Sequence, residues 1–460
     1  MRTLSAAATF SLLMTAVPGV ALAALPDDRV DFAMYGRMGV AWTMTGQLIT
    51  GQSLNLMADR PSPSLGGRFE EGDYLEPTVI AHILKKDPEK PGDTYIDMVM
   101  TPAMFARNGS FLGFFSNFGE TLRIELFQAY VEAGNVFIPD LIFWGGQRFY
   151  RGADVHIADY FYFNDLSGQG GGVKYKGLDL AILVHSTENS PMYYFDSDDT
   201  DDAPDIKRQR TMFVAQYSYN FGPRSSFVQG LAEAHVLPPA GSAATPELAP
   251  GDFGWVAGAK LHLDLDKGNF NDLSVRFGSR IANGAFGGSR TFQTFGPAEP
   301  EGHYDGAYGL EVVEHFLFNL HPLISINGYG LLNISKSAVQ PTDVIGGAPV
   351  GAGYKTLNWA GGVRGFLYAH KQFHMIAEAT VQGRKDGDER MGTAVKLSVV
   401  PTIVPTGETS AWGRPHLRAI YTAAIYDTDA VEQRMSSYLR VTGSESRFGH
   451  YIGARTEWWF

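Results

Sequence analysis

The chain has 460 residues, of which 44% are hydrophobic and 13% aromatic, and it carries 53 glycines, no cysteine and a formal net charge of −12. The lack of cysteine excludes a disulfide-stabilised secreted fold, and the acidic balance argues against a general nucleic-acid binder. Beyond residue 23, no apolar run approaches the ~20 residues that a membrane-spanning helix needs. The length suits one large barrel domain.

The first 23 residues have the pattern of a secretory signal peptide. Arg2 supplies a positive charge, residues 4–20 are largely apolar, and Ala-Leu-Ala at 21–23 gives the small-x-small pattern of a cleavage site. A membrane anchor is disfavoured because the apolar run is short and acidic residues follow it at once. We therefore expect residues 1–23 to be removed on export and residues 24–460 to form a single domain.

Residues 30–43 alternate between apolar and polar side chains, as a strand does between two different environments. Val30 and Phe32 fall on one face, and Tyr35 and Arg37 fall on the other. A strand of a soluble sandwich and a strand of a membrane barrel both have this pattern, so this segment leaves both possibilities open.

Strand-like runs recur along the whole chain with turn residues between them. Short links such as 87–92 and 321–322 alternate with long ones such as 187–206 and 285–304, as expected for a barrel with tight periplasmic turns and large external loops. About 18 strands are in the range in which a barrel leaves an aqueous channel. The predicted strands are 31–43, 73–86, 92–104, 123–135, 139–147, 170–175, 178–186, 207–219, 225–236, 252–263, 271–284, 305–318, 321–333, 355–369, 372–383, 394–402, 413–425 and 446–459.

The segment from Trp144 to Val173 mixes charged and aromatic side chains between glycines. So polar a segment should be solvated, and so aromatic a segment should be buried. The wall of a water-filled space satisfies both demands. We therefore expect residues 148–169 to fold into the barrel as a loop that constricts its channel.

The last residues, 451–460, alternate in the same way and end on Phe460. Arg455, Glu457 and Trp459 share the more polar face. A terminal strand of this kind is typical of outer-membrane barrels rather than of soluble domains, so it favours an all-β transmembrane antiparallel barrel.

With these segments in hand, the chain resembles the maltoporin family, the sugar-selective porins of Gram-negative outer membranes. The best match runs from Trp144 to Gly172, where W-x-G-x-R-F-Y is followed by D-V-H-x-x-D and S-G. Shorter matches are at 30–37, 412–426 and 453–459, whereas 187–400 aligns only by the rhythm of its strands. The resemblance implies a homotrimer of eighteen-stranded barrels in the outer membrane, each of which conducts sugars along a track of aromatic side chains.

The resemblance also implies which residues contact the sugar, and these fall into two groups. An aromatic track would stack on the apolar faces of pyranose rings, and polar side chains at the constriction would exchange hydrogen bonds with sugar hydroxyls. Phe115 would stand where the family places an aromatic side chain from a neighbouring subunit. The track would comprise Tyr35, Tyr74, Trp459 and Phe115, and the polar set Arg37, Arg68, Glu76, Arg123, Arg151, Asp154, His156 and Asp159.

Two positions of the constriction loop depart from the family pattern, and two aromatic-track positions in the middle of the chain have no convincing match, although Trp255 and Trp359 lie nearby. Gly152 stands where the family has an arginine, with Arg151 next to it, and Phe161 stands where the family has a tyrosine. These departures bear on the preferred sugar rather than on the architecture.

Several candidate residues could have roles unrelated to sugar contact. Tyr35 and Trp459 could belong to the aromatic girdle at the membrane interface, and the charged loop residues could simply pair to hold the loop's shape. His156 is better explained as a hydrogen-bonded loop residue than as a metal ligand, because metal sites need three or four convergent donors. The acidic run 196–202 lacks the glycine and terminal glutamate of a calcium loop.

An enzyme is disfavoured, because the chain has no G-x-S-x-G motif and no cysteine, and carboxylates among arginines would stay ionised. The sequence therefore predicts a non-enzymatic outer-membrane channel, without cofactor or metal, for facilitated diffusion of maltose, maltodextrins or related oligosaccharides. Its expected partners are oligosaccharides, outer-membrane lipids and two further copies of the chain, and not nucleic acid. The alternatives are a non-specific porin and, far less favoured, a barrel enzyme that acts on glycans.

Overall fold

The computed structural model describes residues 29–44, 48–56, 65–87, 89–106, 122–185, 194–195, 206–239, 250–284, 290–345, 348–443 and 445–460. The predicted signal peptide, Phe115 and the acidic run 196–202 are outside these residues.

The chain forms a closed antiparallel barrel of 18 strands, which confirms the predicted fold class. Each barrel strand pairs with the next along the chain, and the first pairs with the last. The strands are β1 Val30–Met44, β2 Tyr74–Leu84, β3 Tyr95–Ala106, β4 Leu122–Gly134, β5 Leu141–Arg148, β6 Gly168–Tyr175, β7 Leu178–His185, β8 Arg210–Asn220, β9 Phe227–Leu237, β10 Asp252–Asp264, β11 Phe270–Arg280, β12 Tyr308–His321, β13 Ile324–Lys336, β14 Lys355–His370, β15 Phe373–Asp386, β16 Gly392–Ile403, β17 His416–Tyr426 and β18 Phe448–Trp459.

Smaller elements lie in the links between barrel strands. No helix among the described residues has the length and apolarity to cross a membrane. The smaller elements are the strand Leu48–Thr50 beside β1, the paired strands Arg151–Val155 and Tyr160–Asp165 with the 3-10 turn His156–Ala158 between them, the strand pairs Tyr194–Phe195 with Ile206–Lys207 and Val344–Ile345 with Ala348–Pro349, the 3-10 turn Gly351–Tyr354, and the helices Thr428–Glu432 and Ser437–Thr442.

The side chains of each barrel strand alternate between an apolar outer face and a polar inner face. On β16, Val395, Leu397 and Val399 are exposed, whereas Lys396 and Ser398 between them are buried. This is the reverse of a soluble barrel, and it is the pattern expected when the outer face meets lipid. The alternation in the sequence therefore reports which residues face the bilayer.

The links between strands alternate in length, which defines two ends of the barrel. We call the end with the short links 176–177, 322–323 and 371–372 the turn side, and the end with the long links 149–167 and 281–307 the loop side. Two links break the rule, since 387–391 is short on the loop side and 404–415 is long on the turn side.

One hairpin differs from its predicted position by three residues. The predicted strands 305–318 and 321–333 are Tyr308–His321 and Ile324–Lys336 in the structure. Pro322 lies in the two-residue link, and a proline that cannot donate a backbone hydrogen bond is better placed there than inside a strand. The strands therefore extend up to the proline from both sides.

The barrel closes along a seam between β1 and β18. Tyr35 pairs with Trp459 and Arg37 pairs with Glu457 in this register. The seam places inner-face residues from the two ends of the chain side by side.

The constriction loop, residues 149–167, leaves the end of β5 and crosses the inside of the barrel. The Tyr160 hydroxyl donates to Glu311 Oε2 on β12 at 2.6 Å, and the Tyr162 hydroxyl donates to Asp272 Oδ2 on β11 at 3.1 Å. Tyr160, Tyr162 and Phe163 are at most 1% exposed. Three of the loop's six aromatic side chains thus anchor it to the far wall, because their rings find apolar packing there and the two hydroxyls find carboxylates.

A second segment, residues 65–73, also folds into the barrel, and its position was not predictable from the sequence pattern. Tyr329 of β13 donates to the Leu65 carbonyl at 2.7 Å, and Lys396 of β16 donates to Glu70 Oε2 at 2.8 Å. We call residues 65–73 the inner segment. It brings Arg68 and Glu71 to face the constriction loop.

Candidate functional site

A row of aromatic side chains runs across the inner wall of the barrel. The Tyr35 ring lies 6.5 Å from Trp459 in a stacked arrangement and 5.8 Å from Tyr74, and Tyr74 lies 6.3 Å from Phe105. Trp459 is at the turn-side end of β18, whereas Tyr74 pairs with the middle of β1 and Phe105 is next to the loop-side end of β3. The row therefore runs obliquely from one end of the barrel toward the other.

The row continues through two further rings that the sequence pattern did not predict. Phe105 lies 6.1 Å from Phe127, and Phe127 lies 5.5 Å from Phe149 at the start of the constriction loop. Phe127 has no partner in the pairing of β3 with β4, since Thr101 pairs with Gln128 and Pro102 with Leu126. This bulge shifts the alternation within β4, since Ile124 and Leu126 face outward before it and Val131 after it. A single parity for the whole strand therefore does not assign Phe127 to one face.

We call this row the aromatic ribbon. Its six members are Trp459, Tyr35, Tyr74, Phe105, Phe127 and Phe149. Each of them is partly exposed, so their rings are available to a ligand in the lumen.

The Tyr35 hydroxyl links the ribbon to a cluster of charged side chains. It accepts hydrogen bonds from Arg68 Nη2 at 2.7 Å and Arg37 Nη1 at 3.2 Å, and it donates to Glu457 Oε1 at 3.2 Å. Glu71 Oε2 lies 2.8 Å from Arg68 Nε and 3.3 Å from Arg37 Nη1. The two predicted arginines thus meet at one tyrosine, held by a carboxylate of the inner segment.

Glu457 is the centre of the other half of the cluster. It accepts from Arg414 Nε at 2.8 Å and also from Arg418, and both arginines are on the turn side of β17 or in the link before it. The Arg414 guanidinium carbon lies 3.9 Å from the centre of the Trp459 ring. Arg414 therefore stacks on the ribbon while it binds the carboxylate next to it, and neither arginine was among the predicted site residues.

His156 joins the constriction loop to both halves of the cluster. Its Nδ1 accepts from Arg68 Nη1 at 3.1 Å, and its Nε2 lies 3.6 Å from Glu457 Oε1 and 3.3 Å from Arg414 Nη2. Burial of the imidazole, together with Arg68, lowers the pKa of His156 to about 3. The ring is therefore neutral at physiological pH, and it lies beside the guanidinium groups of Arg68 and Arg414.

The two loop aspartates present carboxylates at the edge of the same cluster. Asp159 Oδ1 lies 3.7 Å from Arg68 Nη1, and Asp154 Oδ2 lies 3.9 Å from His156 Nδ1. Burial opposes ionisation of Asp159, but Arg68 and Arg37 outweigh it and hold its pKa below the ordinary value. Both side chains keep more than a third of their surface exposed, so Asp159 presents an ionised acceptor to the lumen. Burial raises the pKa of the Asp154 carboxyl.

Two other predicted residues lie along the ribbon, away from the cluster. Glu76 accepts a hydrogen bond from Tyr74 two residues away, as their shared face predicts. Arg151 stacks between Phe149 and Phe161 at the far end of the ribbon, with its guanidinium carbon 3.8 Å and 4.2 Å from the two ring centres.

Arg123 is half exposed and pairs with Glu125 at 3.3 Å, so the structure does not bring it into the cluster.

The cluster can donate and accept hydrogen bonds beside the apolar faces of the aromatic ribbon. Its charged side chains are balanced, since the arginines at 37, 68, 414 and 418 face the carboxylates at 71, 154, 159 and 457. A ring with one apolar face and polar edges matches this combination, because stacking and charge-assisted hydrogen bonds can then act together.

Comparison with known families settles the class of protein. Residues 30–460 match the sequence profile of the LamB porin family, which covers the whole barrel. The chain belongs to the LamB porin family. The resemblance to the maltoporin type is thereby confirmed, and LamB porins are channels of the Gram-negative outer membrane, so this chain is a porin located there.

Solved structures with a similar fold are also outer-membrane proteins. OccK8 (OprE) of Pseudomonas aeruginosa has 11% identity and a TM-score of 0.45, with 94% of this chain and 98% of that chain covered. The channel DcaP of Acinetobacter baumannii has 11% identity and a TM-score of 0.42, with 95% and 100% covered. OprB of Pseudomonas putida has 9% identity and a TM-score of 0.39, with 94% and 95% covered. Similarities this low carry no information about the substrate of this porin.

Proposed function

We propose that this LamB porin is a sugar-selective channel for facilitated diffusion of maltose, maltodextrins or related oligosaccharides. The observation that carries the proposal is the contact between the aromatic ribbon and the charged cluster at Tyr35. A non-specific pore needs only an aqueous passage, whereas this lumen presents a continuous aromatic surface with hydrogen-bonding groups at its edge.

The geometry suits a ligand that moves while it is bound. Neighbouring ring centres of the ribbon are 5.5–6.5 Å apart, so a pyranose ring can contact the next ring before it leaves the last. Each aromatic contact contributes about 0.5–1.5 kcal/mol, which binds a sugar without trapping it. The concentration gradient alone drives the movement.

Two further features of the proposal have different grounds, since the trimer is implied by the family resemblance and the cleavage by the signal-peptide pattern of residues 1–23. The porin is a homotrimer in which each barrel has its own channel, and residues 1–23 are cleaved on export. Crosslinking in outer-membrane preparations followed by mass determination tests the trimer, and N-terminal sequencing of the mature protein tests the cleavage.

The experiment that tests sugar selectivity is conductance across a planar bilayer, titrated with maltose, maltohexaose, sucrose and a polyethylene glycol of similar mass. We expect the maltose oligomers to reduce the ion current at lower concentration than the polymer, and longer oligomers to do so more strongly because they cover more of the ribbon. A general porin would respond equally to sugars and to the polymer. That result would refute the proposal.

A further inference from the structure

A cavity of about 260 Å³ lies on the other side of the constriction loop from the charged cluster. Its floor is the start of the loop, and its wall is formed by inner-face residues of β6 to β10. The volume is slightly below the ~300 Å³ at which small-molecule pockets begin, so it suits one compact group rather than a whole oligosaccharide.

The cavity is lined by more cations than carboxylates. Arg148, Arg151, Lys174 and Lys260 face it, and Asp179 is the acidic residue among its lining. Asp179 is already engaged, because it lies 3.1 Å from Lys174 Nζ and accepts from the Tyr150 hydroxyl at 3.0 Å. The other three cations, Arg148, Arg151 and Lys260, therefore have no carboxylate partner among the residues that line the cavity.

Lys260 is the clearest sign of a missing partner. The residue is 8% exposed, and its ammonium lies 5.2 Å from the centre of the Phe227 ring and 5.8 Å from that of Tyr162. Within the described part of the chain it makes no hydrogen bond and no ion pair. The side chain is therefore largely desolvated, with the Asp272 carboxylate as the nearest opposite charge, and its ammonium lines the cavity. An acceptor placed in the cavity would offset the cost of desolvating this charge.

The two arginines also have donors to spare. Arg148 Nε and Nη1 are buried, with the guanidinium carbon 4.6 Å and 4.8 Å from the ring centres of Tyr130 and Trp144 and with Glu132 Oε2 3.5 Å from Nη1, so Nη2 is the donor that Arg148 can offer to the cavity. Arg151 uses only Nε to contact Asp165, at 3.2 Å, and its guanidinium is held flat between Phe149 and Phe161. Guanidinium nitrogens that line a cavity and are not used by the protein can donate to a ligand or to water there.

We propose that this cavity is an anion site that takes a phosphate group, either as inorganic phosphate or as the monoester of a sugar lying on the aromatic ribbon. Three separate cationic donors match the several strong acceptor oxygens of a phosphate better than they match the two of a carboxylate. Phe149 belongs to both the ribbon and the cavity, so a ring stacked at that end of the ribbon places a phosphate substituent within reach of Arg151. The balanced charges of the other cluster offer no such preference for an anion.

The test is inhibition of the chloride current through planar bilayers at fixed potassium chloride concentration and pH 7.5. The added ligands are inorganic phosphate, glucose 6-phosphate and glucose, and the variants are Lys260→Met and Arg151→Gln. Lys176→Met is the matched control, because Lys176 is an exposed lysine in the turn after β6 and does not line the cavity. Single-channel conductance of each variant shows whether the barrel has formed.

We expect inorganic phosphate to block the parent channel, and its half-blocking concentration to rise about tenfold or more in Lys260→Met and Arg151→Gln but to stay unchanged in Lys176→Met. If glucose 6-phosphate has a lower half-blocking concentration than both phosphate and glucose, the ligand is a sugar monoester. If glucose 6-phosphate and phosphate have equal half-blocking concentrations, the ligand is the free anion. Equal block of the parent and both cavity variants, or no block of the parent, would overturn the site.

The glucose 6-phosphate comparison rests on the proposed sugar function, whereas the inorganic phosphate comparison does not. A channel that phosphate blocks through Lys260 but that maltose oligomers do not block would lack the sugar function and keep the anion site.

Discussion

Replacement of Trp459 with alanine should weaken sugar binding with little effect on the ion current. The indole is the turn-side end of the aromatic ribbon, stacked 6.5 Å from Tyr35 and covered on one side by Arg414 at 3.9 Å. Loss of one stacking surface costs about 0.5–1.5 kcal/mol of sugar binding. This free energy corresponds to an increase of about two- to twelvefold in the sugar concentration that halves the current.

The ion current should change little because Arg414 keeps its second contact. Its Nε still donates to Glu457 at 2.8 Å, so the charged cluster at the constriction remains in place. The assay is maltohexaose titration of single channels in a planar bilayer. Trp255→Ala is the matched control, since Trp255 is 44% exposed on the outer face of β10 and has no access to the lumen. Half-blocking concentrations within twofold of each other for parent, Trp459→Ala and Trp255→Ala would refute the stacking argument.

Two further predictions concern the constriction loop. The pKa of His156 is lowered to about 3, so the ring is uncharged from pH 5 to pH 8, and the half-blocking sugar concentration should stay constant over that range. The unfolding free energy should be constant above about pH 6.5, the ordinary pKa of histidine. It should fall as the pH drops from about 6.5 toward 3, because the imidazole then binds a proton in the unfolded state but not in the folded state. Tyr160→Phe removes the hydrogen bond of 2.6 Å to buried Glu311. The attachment of the constriction loop to the barrel wall should weaken by about 1–3 kcal/mol. Single-channel currents should therefore become noisier and larger.

Each of these has a control that isolates the cause. If the half-blocking sugar concentration changed with pH around a midpoint near pH 6.5, and this change disappeared in His156→Gln, the assignment of a neutral ring would be contradicted. Tyr354→Phe is the control for Tyr160→Phe, because Tyr354 donates to Asp388 at 3.0 Å in an exposed position. Currents equally quiet in both tyrosine variants would show that the Tyr160 hydroxyl does not hold the loop.

The strands were predictable because lipid and water impose a period of two on each of them. The alternation of β1 and β18 also placed Tyr35 and Trp459 on the lumen face, and the structure brings them within 6.5 Å, together with Tyr74. A local pattern suffices here, because each residue's environment depends only on which face of its own strand it occupies. The shift at Pro322 shows the limit, since alternation alone does not mark where a strand ends.

The parts of the site that were not predicted from the sequence depend on contacts between distant residues. Glu71 reaches the cluster only because Leu65 and Glu70 are tied to β13 and β16, more than 250 residues later in the chain. Phe127 lies at a bulge against β3, where the alternation of β4 changes phase. Nothing in the sequence around these residues distinguishes them from ordinary loop or strand residues, so periodicity carried no signal for them.

The seam between β1 and β18 contributes residues to both halves of the proposed sugar site. Tyr35 and Arg37 stand on one side of it, and Glu457 and Trp459 stand on the other. An open sheet on its way to the barrel therefore has no assembled site, and a bound sugar must favour the closed form. By mass action, a ligand at a hundred times its dissociation constant would add about 2.7 kcal/mol to ring closure. Sugar binding and barrel stability are thus thermodynamically coupled. Saturating oligosaccharide should protect the pairing of the first and last strands against thermal unfolding.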